Sequence, residues 1–251
     1  MDSGQRSRAR AAAAVVAAAA LSLPPAAPAG AVSAASQAPL AHFAGTPLVG
    51  RVFVVDPGHG GIDGGCSAAG YLEKDVVLAV GLELARRLRE AGARVGLTRV
   101  DDMELGHMNP RPGSRYQRDL AMRVAVSRRL GPDLQLSLHV NASRSPEMSG
   151  AMVFYQPGRA DSRRVAAALL DALRQVTPGN QNAVLPGDFY VLKRAASSAV
   201  LVELGFLTSP RDRPVLVSPE GQRRLADALF RALLRYHEEE AASLERDRQA
   251  P

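Results

Sequence analysis

The sequence predicts an α/β fold: a three-layer α/β/α sandwich with a twisted, mostly parallel sheet in a single domain. The main evidence is that short apolar runs rich in β-branched residues alternate with longer amphipathic stretches, the order typical of strands and helices around such a sheet. The chain has 251 residues, of which 46% are hydrophobic. This is enough for one sizeable core and short for several domains.

The individual elements follow from the local patterns. The first strand is a β-branched run that ends in Asp56-Pro57-Gly58, a turn sequence, and the first helix is closed by Gly92. The polar stretch 101–118 contains Gly and Pro breakers and is predicted as a loop. The predicted strands are 51–55, 94–98, 134–140, 151–155 and 199–204, and the predicted helices are 74–91, 119–130, 162–176 and 219–237.

The two ends of the chain differ from this pattern. Residues 1–30 combine arginines with a following apolar run and small residues, which predicts a signal peptide and export. The apolar run is shorter than the ~20 residues that span a bilayer, which favours a signal peptide over a membrane-spanning helix. Association with a membrane is expected only if residues 1–30 are not cleaved off. Residues 31–49 are predicted as a linker, 50–238 as the catalytic domain, and 239–251 as a charged tail that frays into solvent.

The formal net charge is +6, but the positive residues are scattered arginine pairs without aromatic platforms, which argues against nucleic acid as a partner. Cys66 is the single cysteine, so an internal disulfide is excluded. His42, His107 and His237 lie in the linker, a loop and a helix end, and are predicted to be surface residues.

Four ionisable residues lie beside the predicted strand and helix ends: His59, Glu73, His139 and Glu203. The carboxyl ends of parallel strands meet at one edge of the sheet, where ligands bind. Two histidines and a carboxylate are the protein ligands of many hydrolytic zinc (Zn2+) sites, and a second carboxylate outside the ligand set then serves as general base. His59, Glu73 and His139 are the candidate ligands. Glu203 lies at the end of an apolar strand and is the candidate base.

Simpler interpretations exist for each residue. His59 could be a turn histidine, Glu73 an acid that interacts with a helix dipole, His139 a satisfied strand-end histidine, and Glu203 a salt-bridge partner. The glycine loop around His59 does not match a dinucleotide fingerprint, because Asp63 stands where the third glycine belongs.

Four segments contain these residues: 55–61 (VDPGHGG), 72–75 (LEKD), 137–142 (SLHVNA) and 202–207 (VELGFL). In order and spacing they resemble the signature blocks of the zinc-dependent N-acetylmuramoyl-L-alanine amidases, the amidase type 3 family, over roughly residues 50 to 237. The resemblance implies zinc at His59, Glu73 and His139, with Glu203 as the catalytic glutamate. It also implies the substrate, peptidoglycan, cut between N-acetylmuramic acid and the L-alanine of the stem peptide. Asn141, Arg123 and the segment 190–193 resemble further recurring positions without an assigned role.

Two features suggest where such an amidase would act. The segment 101–118 is longer than in common autolysins and is similar to the sporulation and germination-specific branch, which trims spore-cortex peptidoglycan so that a partner deacetylase can form muramic lactam. Glu203 follows His139 by only 64 positions, too few for the helical insert that occludes zinc in division-associated amidases. Control would then come from outside the chain, for example from an activating protein. The expected location is the periplasm, the cell wall or the intermembrane space of a forming spore.

Two other function classes remain open from the sequence. One is another zinc hydrolase of the same fold, such as a carboxypeptidase, which would need a positioned arginine that no motif marks. The other is a non-catalytic wall-binding protein, for which a missing ligand or base would be expected.

Overall fold

The computed structural model describes residues 46–249. The predicted signal peptide, most of the predicted linker and His42 lie outside these residues. The strands are β1 Val52–Pro57, β2 Ser67–Ala68, β3 Tyr71–Leu72, β4 Arg94–Leu97, β5 Leu134–Asn141, β6 Met152–Tyr155, β7 Ala183–Pro186 and β8 Ser198–Phe206. The helices are α1 Glu73–Glu90, α2 Arg115–Leu130, α3 Ala160–Leu173, α4 Tyr190–Lys193, α5 Arg213–Val217 and α6 Pro219–Gln249, with a 3-10 turn at Gly106–Met108.

Six strands form the central sheet in the order β4-β1-β5-β8-β6-β7. The first four are parallel to one another, whereas β6 is antiparallel to β8 and parallel to β7. The mostly parallel sheet is therefore confirmed. β2 and β3 pair as a separate two-stranded hairpin between β1 and α1.

Helices cover both faces of the sheet. The larger core lies between one face and the helices α1, α3 and α6, and it includes Phe53, Leu136, Leu169 and Leu229. The other face is covered by α2 and the short α4, over a smaller cluster. Polar residues of β1, β5 and β8 that alternate with the larger core therefore lie on the thinly covered face.

Helix α2 begins at Arg115, earlier than its predicted start at residue 119. Ser114 caps it: its hydroxyl accepts from the backbone N–H of Gln117 at 3.2 Å, and the Gln117 side chain accepts from the backbone N–H of Ser114 at 2.9 Å. This capping box satisfies two otherwise free donors and starts the helix at Arg115. The predicted loop 101–118 is thus shorter than expected and contains the 3-10 turn.

Helix α6 is longer than predicted, since it passes His237 and continues to Gln249. Residues 238–249 are rich in Glu, Ala, Leu and Arg, which favour helix. This charged segment therefore continues α6 and does not fray from residue 239 as predicted. The prediction that His237 is a surface residue is wrong. The residue is only 4% exposed, and its ring packs against that of Phe53, with the two ring centroids 5.6 Å apart. Within residues 46–249, no helix is both long and apolar enough to cross a membrane.

Candidate active site

The four predicted site residues meet at one edge of the sheet. His59 lies two residues after β1, Glu73 is the first residue of α1, and His139 lies in β5. His139 pairs in register with Glu203 of the adjacent parallel strand β8. The strand order, with β5 between β1 and β8, therefore brings together residues that are far apart in the sequence.

His59, Glu73 and His139 form a cluster that could hold a metal ion. Each offers one ligand atom, and these atoms lie within 4.8 Å of one another. The Oε1 atom of Glu73 is 3.1 Å from Nε2 of His59 and 3.0 Å from Nδ1 of His139. The two imidazole rings are nearly perpendicular, with centroids 5.0 Å apart.

The charges in this cluster favour a cation. Burial alone would raise the pKa of Glu73, but hydrogen bonds from His139 and His59 outweigh it and hold that pKa well below its ordinary value. Burial alone would lower the pKa of His59, but Glu73 and Asp63 raise it to about 9. The same two carboxylates that hold a proton on His59 would attract a metal ion in its place.

Glycines allow the loop after β1 to approach the cluster. A Cβ on Gly58 would lie 2.4 Å from Cε1 of His139, and a Cβ on Gly65 would lie 2.5 Å from Oε2 of Glu73. Gly65 also has φ +67, which side chains rarely adopt. The glycine-rich loop is therefore closely packed around two of the candidate ligands.

Outer contacts orient the candidate ligands. Asp63 Oδ2 lies 2.9 Å from Nδ1 of His59, which turns Nε2 toward Glu73. The Glu73 carboxylate accepts from the backbone N–H groups of Cys66 at 2.8 Å and Val140 at 3.0 Å. Asp63 is a site residue that was not predicted from the sequence. Its position four residues after His59, in the same loop, was the available signal.

Glu203 has a different environment. Its Oε2 is inaccessible to solvent and has no hydrogen-bond partner among residues 46–249. Burial, with a smaller contribution from the charge of Glu73, raises the pKa of Glu203 to about 7, against the opposing effects of His139 and His59. A carboxyl group with this pKa can both accept and return a proton near neutral pH.

Glu203 lines a cavity of about 220 Å³ together with His59 and His139. Tyr116 of α2 and Tyr190 of α4 also line it and are substantially exposed. The cavity therefore lies beside the candidate cluster, on the face of the sheet that α2 and α4 cover.

The remaining residues singled out from the sequence have structural surroundings. Arg123 is buried and pairs with Asp56 at 2.8 Å. The Asn141 side chain accepts from the backbone N–H of Ala142. Cys66 donates to the carbonyl of Val140, and burial, with the nearby Glu73, raises the pKa of its thiol to about 12, so it stays protonated. His107 is exposed, as predicted.

Comparison with known proteins identifies the family. A family model described as N-acetylmuramoyl-L-alanine amidase matches residues 53–235, which contain all four site residues. The chain belongs to this family. Such amidases hydrolyse the amide between N-acetylmuramic acid and L-alanine in peptidoglycan, so the chain is a peptidoglycan amidase that acts outside the cytoplasm.

Relatives and solved structures agree with this family. The germination-specific N-acetylmuramoyl-L-alanine amidase of Bacillus subtilis is 34% identical over 195 residues, 77% of this chain and 82% of the relative. The CwlD amidase of Clostridioides difficile, solved in complex with the GerS lipoprotein, has a TM-score of 0.69 and 29% identity, and covers 74% of this chain and 98% of its own. The amidase AmiC2 of Nostoc punctiforme has a TM-score of 0.64 and 29% identity, over 75% and 97% of the two chains.

These comparisons favour the amidase over the two other function classes. The family match spans the folded part of the chain and names an amide hydrolase, so a carboxypeptidase is not supported. A wall-binding protein without activity is also not supported, because the cluster and Glu203 are all present.

Proposed function

We propose that this amidase uses zinc held by His59, Glu73 and His139, with Glu203 as the general base and acid. The observation that carries the proposal is the convergence of the three ligand atoms within 4.8 Å, beside a carboxyl group that has one inaccessible oxygen and is not part of the cluster. Three protein ligands and one open position are typical of catalytic zinc sites.

The residues present fit zinc. Imidazole nitrogen and carboxylate oxygen are donors that zinc prefers, and Asp63 on His59 is the kind of outer partner that fixes a ligand's orientation. Zinc held there would supply Lewis acidity, which activates water near neutral pH and polarises a carbonyl group.

The proton transfers fall to Glu203. As a carboxylate it accepts a proton from the attacking water, and as an acid it returns that proton to the amino group of the departing L-alanine. Without a metal ion, burial raises the pKa of Glu203 to about 7, and the positive charge of zinc would lower that pKa. No hydrogen bond from the described residues occupies Oε2, so neither proton transfer has to break one.

We propose spore-cortex peptidoglycan as the substrate within this class. The similarity to the germination-specific amidase of B. subtilis supports it. The segment 101–118 packs on the His59 loop, since Asp102 accepts from the backbone N–H of Gly61 at 2.8 Å and from Lys74 at 2.7 Å. A change in the length or sequence of segment 101–118 could therefore alter which substrate groups reach the candidate cluster.

Cleavage of the N-terminal segment and the existence of a protein partner are also proposals. Cleavage of residues 1–30 as a signal peptide would place the enzyme where cell-wall amidases act. The complex of CwlD with the GerS lipoprotein supports an extracytoplasmic protein partner for this chain as well. A downstream deacetylase remains a prediction from the sequence.

Product analysis tests the proposal. The purified protein, loaded with zinc, is incubated with peptidoglycan, and the products are identified by mass spectrometry beside Glu203→Gln. We expect free stem peptides that begin with L-alanine, absent with the variant and after chelation of zinc. Intact stem peptides with the wild-type protein, or unchanged release by the variant, would contradict it.

The spore-cortex assignment needs its own experiment. Expression in a B. subtilis strain that lacks its germination-specific amidase should restore muramic lactam in the cortex, whereas Glu203→Gln should not. Active protein that digests vegetative wall but restores no lactam would contradict this assignment alone.

A further inference from the structure

Two buried arginines hold the backbone that leads from β1 to His59. Arg99, after β4, donates to the carbonyls of Pro57 at 2.9 Å and Gly58 at 2.8 Å. Arg123, in α2, donates to the carbonyls of Pro57 at 2.7 Å and His59 at 2.5 Å. Both side chains belong to residues that are only 2% exposed. Every carbonyl from Pro57 to His59 therefore accepts from a guanidinium group.

The backbone at His59 needs such support. Its φ is +57, in the left-handed region that residues with a Cβ seldom occupy. A strained conformation of this kind persists only where the surrounding contacts determine it. The bond from Arg123 to the carbonyl of His59 is one of these contacts, and the direction of the imidazole follows from the backbone that it fixes.

The same arginines also connect to the segments that carry the other two candidate ligands. Arg99 donates to the carbonyl of Lys74 at 2.8 Å, next to Glu73 at the start of α1. Arg123 donates to Asp56 at 2.8 Å, and Asp56 accepts from Ser137 at 2.8 Å, two residues before His139 in β5. One hydrogen-bonded network thus joins the segments that carry all three ligands.

The contacts of these arginines use the planar, forked shape of the guanidinium group. The remaining Nε of Arg123 donates to Asp119 at 2.6 Å, so one side chain reaches four acceptor groups. Arg99 bonds backbone carbonyls and forms no salt bridge within residues 46–249. Lysine, a point charge on a flexible stem, cannot reproduce either arrangement.

We propose that Arg99 and Arg123 are positioning residues that hold His59, Glu73 and His139 at their mutual spacing, and that they act through the backbone and Asp56. The inference rests on the proposed zinc site, and it adds two residues that determine how tightly this chain holds the metal.

The test measures metal binding to the metal-free protein, without an activity assay. Arg99→Lys and Arg123→Lys are compared with Arg87→Lys, a matched control whose arginine joins Glu83 of α1 to Asp227 of α6, away from the cluster. Zinc affinity is measured by competition with a chromophoric chelator, and ligand geometry by the visible spectrum of bound Co2+. We expect about a 10–100-fold loss of zinc affinity and an altered cobalt spectrum in the two site variants, with wild-type values in the control.

Each outcome decides a separate point. Folded site variants with wild-type affinity and spectrum would overturn the inference, and so would an equal loss in Arg87→Lys. If Arg123→Lys fails to fold, Arg99→Lys decides, because that change leaves no carboxylate unpaired. A wild-type protein that binds no zinc, or binds it equally well after His59→Ala, would instead contradict the proposed function.

Discussion

At the residue scale, the two carboxylates of Glu73 and Glu203, at the same edge of the sheet, have opposite electrostatic environments. Glu73 accepts hydrogen bonds from two histidines and two backbone N–H groups, and its pKa is held far below that of a free glutamate. Glu203 has an unpartnered oxygen among the described residues, and its pKa rises to about 7. Carboxylates whose pKa values are pushed apart in this way take different roles, here metal ligand and proton carrier.

Glutamine substitutions separate these two roles. Glu203→Gln should lower kcat by about 10²–10⁴-fold because it removes the proton carrier, while zinc stoichiometry stays at the wild-type value. Glu73→Gln should lose zinc, because a neutral amide replaces an anionic ligand. Steady-state kinetics and metal analysis of the two variants check this. Loss of zinc in Glu203→Gln would show that Glu203 is a ligand.

The proton on His59 should make zinc binding depend on pH. Because the pKa of His59 is raised to about 9, the proton occupies the site at lower pH and competes with the metal. Zinc affinity should therefore rise with pH up to that value, with release of about one proton per zinc at neutral pH. Calorimetry in buffers of different ionisation enthalpy measures the released protons.

Asp63→Asn is the matched control for this proton release. It removes one carboxylate that raises the pKa of His59, so fewer protons should be released at the same pH. Equal release from the two proteins, or none from the wild type, would contradict the proposed arrangement.

At the element scale, α1 approaches the sheet through a small residue. A Cβ on Gly81 would lie 2.9 Å from Cγ of Pro57 and 3.4 Å from Cγ1 of Val55. Gly81→Leu should therefore push α1, with Glu73 at its start, away from β1. We expect a loss of about 1–3 kcal/mol in unfolding free energy, measured by urea denaturation, and weaker zinc binding. Leu82→Ala, on the exposed side of α1, should change neither, and wild-type zinc affinity in Gly81→Leu would contradict the packing argument.

The buried pair Asp56–Arg123 joins β1 to α2, and Asp56 also accepts from Thr98 and Ser137. Burial alone would raise the pKa of Asp56, but Arg123 and these hydroxyl groups outweigh it and lower that pKa. The stabilisation is therefore complete above the ordinary value of 3.8 and is lost as pH falls toward the lower, folded-state pKa.

Asp56→Asn should cost about 3 kcal/mol at neutral pH, because it leaves a buried guanidinium with one carboxylate partner fewer. The difference from the wild type should shrink in acid, as the wild-type carboxyl group itself becomes protonated. Urea denaturation across this pH range measures it. Asp227→Asn is the control, because it breaks the partly exposed pair of Asp227 with Arg87 and should cost under about 1 kcal/mol. A destabilisation by Asp56→Asn that grows in acid would contradict the proposed role of the Asp56–Arg123 pair.

At the scale of the whole molecule, the sequence predicts the parallel half of the sheet well. β1 and β8 begin with continuous apolar runs, as expected when both faces are covered, whereas apolar and polar residues alternate along β5. Three of the four site residues lie at or just beyond the ends of these strands. The two strands beyond β8 are harder to predict. The antiparallel direction of β6 depends on tertiary pairing, and β7 and α4 have only four residues each, too few to show a period.

Buried polar residues account for the other differences. His237 follows Leu229 and Leu233 at helical spacing, so the apolar stripe of α6 was the signal for its burial. Asp119, four residues before Arg123 in α2, was the one local signal for the burial of Arg123. The other carboxylate, Asp56, lies in β1 and meets Arg123 only in the folded chain. The sequence therefore predicts the candidate cluster, whereas the network that supports it depends on the three-dimensional fold.

The position of the metal in the protein is the most direct test of this account. A crystal of the zinc-loaded protein, measured on both sides of the zinc absorption edge, gives an anomalous difference map that locates the ion. We expect one peak, bonded to His59, Glu73 and His139, with Glu203 nearby but not bonded to it. A peak elsewhere, or one bonded by Glu203 in place of a histidine, would contradict the assignment of ligands and base.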